Sequence, residues 1–146
     1  MKKIIFPGLI ILLITGSCTQ EKKSPIEGAW QLVHEYQKSG DKIVGEFPVD
    51  ITGSEMKVWT EHNFIFVGQF RQDTIITDNY GGGTYSLDGD NYEETIQFHS
   101  YPGFLGKTMK ILIEINGDTI TQTFPVDATG QVNKSEYYIE KWVRLK

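Results

Sequence analysis

The groups with most to offer chemistry are few: two adjacent carboxylates, Glu93 and Glu94, the histidines His34, His62 and His99, and a large set of aromatic side chains. Paired-carboxylate catalysis needs both acids in one cleft, about 5–9.5 Å apart. Neighbours on an extended strand point to opposite faces, so Glu93 and Glu94 do not supply that pair. If Tyr92, Ile96 and Phe98 face inward, Glu94 does too. A buried carboxylate must be paired or protonated. Glu94 is therefore either an anchor for a polar ligand or the partner of a core arginine such as Arg71 or Arg144. No two histidines have metal-pair spacing and no C-x-x-C is present, so a zinc site would have to assemble from all three histidines in space. Serine nucleophile chemistry lacks its G-x-S-x-G turn. The run Gly81-Gly82-Gly83 precedes a strand rather than the helix that a phosphate cradle requires, and reads as a flexible turn at a barrel rim.

The aromatic residues are the more informative set. Most must be core, while some can line an apolar cavity, the usual form of a small-molecule site. Trp59, Phe64, Phe66, Tyr85 and Phe98, with Glu94, are the candidate ligand-binding residues. Tyr101 to Gly106 reads as an aromatic rim loop. A small barrel can also be filled by its own side chains, so both an open and a packed interior stay in view.

Strand-like pattern runs through nearly all of the chain after Ile26. Val, Ile, Thr, Tyr, Phe and Trp recur between closely spaced turn signals. Strands are expected near 28–37, 42–49, 55–60, 64–71, 82–87, 92–99, 108–115, 119–126 and 136–145. Met109, Ile111, Ile113 and Ile115 alternate with mostly polar neighbours. Phe64, Phe66 and Phe70 share a face with Gly68, a bulge or a point of close approach. Asp88-Gly89-Asp90-Asn91 and Asn116-Gly117-Asp118 accept the positive φ of tight hairpins. No stretch holds a 3.6-residue apolar repeat, so helix content should be low. The fold class expected is all-β: an antiparallel up-and-down barrel of about 8–10 strands.

The first residues follow a different logic. Lys2 and Lys3 precede an apolar run, Ile4 to Ile14, that is too short to span a bilayer and suits a signal peptide. Thr15-Gly16-Ser17-Cys18 follows it and resembles the bacterial lipobox. The resemblance implies cleavage before Cys18 and attachment of lipid to that residue, palmitate among the lipids. Cys18 is the one cysteine among 146 residues, so no internal disulfide competes for it. Thr19 after the cysteine resembles sorting to the outer membrane. The expected organisation is a lipoprotein signal peptide at 1–17, a lipidated cysteine and polar tether at 18–25, and a barrel domain at 26–146. Removing Lys2 and Lys3 takes the net charge from −5 to −7, which repels phosphate backbones and excludes nucleic acid as a partner.

Gly28-Ala29-Trp30 opens the first strand and Trp142-Val143-Arg144 closes the last. With the glycine-rich segment 81–87 and Asn91 to Glu94, this set looks like the lipocalin-type (calycin) barrel. More narrowly, it is similar to the lipocalin-like domains of small bacterial lipoproteins. The resemblance implies that Arg144 packs over the Trp30 ring beside Gly28 and closes one barrel end. It also implies a site for a small hydrophobic or amphipathic ligand. Paired cysteines and a C-terminal helix, usual in lipocalins, are absent. Leu32 and His34 stand where haem-binding barrels of the G-x-W-x-G-x-G type carry glycine.

The expectation is thus a non-enzymatic, membrane-anchored binding barrel of the cell envelope, with no cofactor and no metal. A filled barrel docking an envelope protein or polysaccharide is the alternative. An isomerase or hydrolase acting through Glu94 with a tyrosine or histidine is a weaker third.

Overall fold

The computed structural model describes residues 23–146; the expected signal peptide and Cys18 lie outside them. Nine strands follow one another: β1 (Gly28–Ser39), β2 (Lys42–Phe47), β3 (Thr52–Trp59), β4 (Asn63–Gln72), β5 (Ile75–Asp88), β6 (Asn91–His99), β7 (Thr108–Asn116), β8 (Thr119–Phe124) and β9 (Tyr137–Arg144). One 3₁₀ turn, Pro102–Phe104, is the sole helical element among the described residues.

All pairings are antiparallel. Strands β3 to β9 run as a meander, and β9 returns to β1, closing an eight-stranded barrel. The ninth strand, β2, is an extension. The first half of β1 pairs with β3, and its second half pairs with β2 on the same edge. Closure leaves no long open edge in the ring. Among the described residues, every strand and the whole core fall within 26–146.

Alternation accounts for the interior. On β7, Ile111 and Ile113 are buried while Lys110 and Glu114 are exposed. Phe64, Phe66, Trp59, Tyr92, Ile96, Ile120 and Trp142 complete the core from neighbouring strands. One barrel end is sealed: the Arg144 guanidinium lies 4.1 Å from the centre of the Trp30 ring. It also donates to the carbonyls of Glu27 and Pro25 at 2.6 and 2.7 Å. Trp30 Nε1 donates to the carbonyl of Ile26, which is itself fully buried. Such a stack is worth about 0.5–2 kcal/mol, more as it is desolvated.

Three sequence expectations need correction. Gly81-Gly82-Gly83 is no rim turn: it lies in mid-strand β5, paired with β4 on one side and β6 on the other. A Cβ on Gly83 would stand 2.0 Å from the Thr95 carbonyl oxygen, so glycine there lets two backbones approach where β6 is irregular. The strand β5 also begins at Ile75, well before residue 82. A hairpin at Asp73-Thr74, with Asp73 at φ 54°, was hidden because residues 75–78 are all exposed and show no apolar alternation. Aspartate tolerates this left-handed backbone better than most residues. The third correction concerns Phe98. The register shifts between Gly82 and Gly83, so that Gly82 pairs with Phe98 and Gly83 with Ile96. Gln97 is thus the extra residue of a bulge, which turns Phe98 out to solvent at 45% exposure and swings His99 inward.

Candidate functional site

Beyond the sealed end the barrel holds a cavity of about 400 Å³, within the range of small-molecule sites. Its floor is a polar chain set among tryptophans. Lys57 on β3 forms an ion pair with Glu94 on β6, and both side chains are 5% exposed. Tyr92 donates its hydroxyl proton to the same carboxylate oxygen at 2.8 Å. Trp59 Nε1 in turn donates to the Tyr92 oxygen at 2.7 Å. Burial first, and then the Glu94 charge, hold the Tyr92 phenol well above its usual range. It therefore stays a proton donor. The Lys57 ammonium also sits 4.9 Å from the Trp59 ring centre and 5.0 Å from that of Phe64, in cation–π contact.

Above this floor the polar side chains come from facing walls. Glu55 on β3 is 5% exposed and accepts from Asn79 Nδ2 on β5 at 2.6 Å. Gly68, its cross-strand neighbour on β4, makes this possible: a Cβ there would lie 2.7 Å from the Glu55 Cβ. On the β1–β9–β8 wall, Glu35 faces Glu140 at one rung, and Glu140 faces Gln122 at the same level. Glu35 accepts from Gln37 at 3.0 Å, and Glu140 from Trp142 Nε1 at 3.0 Å. Gln122 is fully buried, yet neither its amide nitrogen nor its oxygen has a hydrogen-bond partner among the described residues.

Burial sets the protonation of these acids. It raises the Glu55 carboxyl to about 7, against pulls downward from Asn79 and Lys57 and pushes upward from Glu35 and Glu94. Burial likewise raises Glu35, and holds Glu140 well above the carboxylate range, reinforced by the nearby Glu35 charge. The remaining walls are apolar, with Phe47, Phe66, Phe70, Ile96, Met109 and Phe124 among them. Exposed lining residues Gln72, Thr77 and Phe104 mark the mouth.

Of the residues expected at the site, Phe66 and Glu94 line the cavity. Trp59 and Phe64 are packed beneath it, at 1% and 3% exposure. Tyr85 is partly buried and ties its hydroxyl to the Thr60 carbonyl at 2.7 Å. Phe98 lies outside, for the reason given above. The partner of Glu94 is Lys57, not Arg71 or Arg144. The histidines do not converge: no group of three potential metal ligands occurs among the described residues. His34 bonds Glu46, His62 is exposed, and His99 stacks against Phe104 beside the cavity.

Glu35, Glu55, Lys57, Gln122 and Glu140 were not anticipated from sequence. The odd positions Glu55, Lys57 and Trp59 shared a face legibly. Glu35 and Gln37 did not share the face of Trp30 and Leu32, because the β1–β9 register slips between Leu32 and His34 and reverses the inward face.

Fold and site together define a closed antiparallel barrel, compatible with the lipocalin type, with a polar-floored internal cavity. A family model described as a domain of unknown function, DUF4488, matches residues 25–146, and the chain belongs to that family. No curated protein and no solved structure matches the chain.

Proposed function

We propose that this chain is a binding protein of the cell envelope that holds a small amphipathic molecule inside its barrel. The observation that carries the reading is the internal cavity of about 400 Å³ whose lining includes Gln122, a fully buried side chain with an amide that has no hydrogen-bond partner among the described residues. Leaving a buried donor and acceptor unsatisfied costs about 1–3 kcal/mol per group. A ligand with polar atoms at that level removes the cost, and the apolar walls accommodate its body. The reading is non-enzymatic: Glu94, the best acid–base candidate in sequence, is engaged by Lys57 and Tyr92. Tethering through an acylated Cys18, facing the periplasm or the cell surface from the outer membrane, belongs to the same proposal and rests on the residues before position 20.

A second reading has its own support. Ile65, Val67, Tyr80 and Phe98 are each about half exposed and lie side by side on the outer face of β4, β5 and β6. Contiguous exposed apolar patches commonly mark protein-interaction surfaces. An envelope protein or glycan docked there is compatible with an occupied or an empty interior.

Native mass spectrometry on the 23–146 segment, purified without detergent, tests the binding reading. The expected result is a co-purifying small molecule that is lost in Met109→Trp, which fills the cavity from β7. An apo mass in both proteins, with no uptake of amphiphiles offered in excess, would remove the reading.

A further inference from the structure

The composition of the cavity wall specifies more than an amphipathic guest. Among the described residues, four glutamates, Glu35, Glu55, Glu94 and Glu140, line it with one lysine, Lys57, which is already paired with Glu94. The other three carboxyls have only neutral donors: Gln37, Asn79 and Trp142. Glu35 and Glu140 are direct cross-strand neighbours on the inner face, a placement of like charges that destabilises a sheet. Gln122 stands beside Glu140 with its amide unpartnered. Among the described residues these acids do not gather into a group of three or more placed to hold a metal ion. The barrel also shows how it holds an ammonium: Lys57 is seated on one carboxylate within an enclosure of aromatic rings.

We infer that the cavity takes an organic cation, an amine or guanidine on an apolar body, with its charged head among Glu35, Glu140 and Gln122 and its body against the aromatic wall. This rests on the binding reading above and names the chemistry of its ligand. The head supplies the positive charge that the Glu35–Glu140 pair lacks, and its N–H groups bond the Gln122 oxygen. Trp142 and Phe124 line the same space, and aromatic rings attract a nearby cation.

Uptake must also move protons. Burial raises Glu35, Glu55 and Glu140, Glu55 to about 7, so these acids hold their protons to higher pH in the empty cavity than solvated carboxyls do. A cationic head favours their ionised forms. The groups facing this space are Glu35 and Gln37 on β1, Glu55 and Lys57 on β3, Asn79 on β5, Glu94 and His99 on β6, Gln122 on β8, and Tyr138 and Glu140 on β9. Cation binding is therefore accompanied by proton release and tightens as pH rises.

Three probes with one skeleton test this: 4-phenylbutylamine, 4-phenylbutanol and 4-phenylbutyrate, titrated calorimetrically into the 23–146 segment. At pH 8 the amine is expected to bind at least tenfold more tightly than the alcohol, and the carboxylate more weakly than either. At pH 5 the preference for the amine should shrink severalfold. Its binding heat should vary with the ionisation enthalpy of the buffer, reporting the released protons. In Glu140→Gln, checked for an intact fold by circular dichroism, the amine-to-alcohol ratio should fall by about tenfold. An alcohol or carboxylate that binds as tightly as the amine would overturn the cation inference and leave the binding barrel standing. Binding of none of the three, at concentrations up to millimolar, would count against the barrel as a binder and remove the inference with it.

Discussion

Lys57→Met is expected to destabilise the barrel by about 3–5 kcal/mol, the usual cost of removing one partner from a buried ion pair. At about 120 residues, that lowers the melting temperature by about 12–20 °C. The reason lies in what remains. Glu94 stays at the bottom of the cavity with the Tyr92 hydroxyl as its one donor, and the aromatic rings around the former ammonium cannot solvate a carboxylate. The double variant Lys57→Met with Glu94→Gln should recover most of the loss. It removes the stranded charge and keeps an oxygen to accept from Tyr92. Thermal and urea denaturation of the two variants read this directly. A single variant as stable as the wild type would mean that the pair does not organise the floor.

The second large effect is a dependence on pH with an unusual sign. Glu55 is raised from 4.5 to about 7 by burial above all. Above pH 4.5 the unfolded chain releases this proton, while the folded barrel keeps it until about pH 7. The empty barrel therefore loses stability through that window and has lost the whole contribution above it. A displacement of about 2.5 units corresponds to about 3 kcal/mol. Glu35 and Glu140 are raised by the same cause and act in the same direction. Asp127 is lowered from 3.8 by its bonds to Thr129 and Gln131, so its opposite effect falls at more acidic pH. Urea midpoints at pH 5 and pH 8 should show the empty barrel weaker at pH 8. Glu55→Gln should remove much of the difference and stabilise the protein at pH 8. A wild-type barrel more stable at pH 8 than at pH 5 would contradict this assignment. A ligand that pairs with these carboxyls should restore stability on the alkaline side, which links the pH profile to the inferred cation.

Much of the fold was legible because it depends on a period of two. The run Met109, Ile111, Ile113, Ile115 and the hairpins at Gly89 and Gly117 fix β6 to β8 with little ambiguity. Trp30 and Arg144 are far apart in the chain, and it was their likeness to the two ends of a lipocalin-type barrel that implied a closed end. What the sequence hid were the places where the period breaks. The bulge at Gln97 sends Phe98 outward, and the slip after Leu32 turns Glu35 and Gln37 inward. One irregular residue reverses every side chain beyond it. The site was harder still to anticipate, because its acids come from β1, β3, β6 and β9 and meet only when β9 closes on β1. Glu94 was expected inside from its strand parity, but Glu35, Glu55 and Glu140, taken singly, read as solvated residues. Lys57 escaped notice for the same reason, although Glu55, Lys57 and Trp59 already shared one parity.

The central claim, that the interior is a binding site, is tested most directly by a nuclear magnetic resonance shift map of the 23–146 segment with and without 4-phenylbutylamine. Shift changes are expected at Glu55, Asn79, Glu140 and Trp142, and above all a large displacement of the Gln122 side-chain amide pair as it gains a partner. Shifts confined to Ile65, Val67, Tyr80 and Phe98, with the Gln122 amide unmoved, would contradict it and place the working surface on the outside of the barrel.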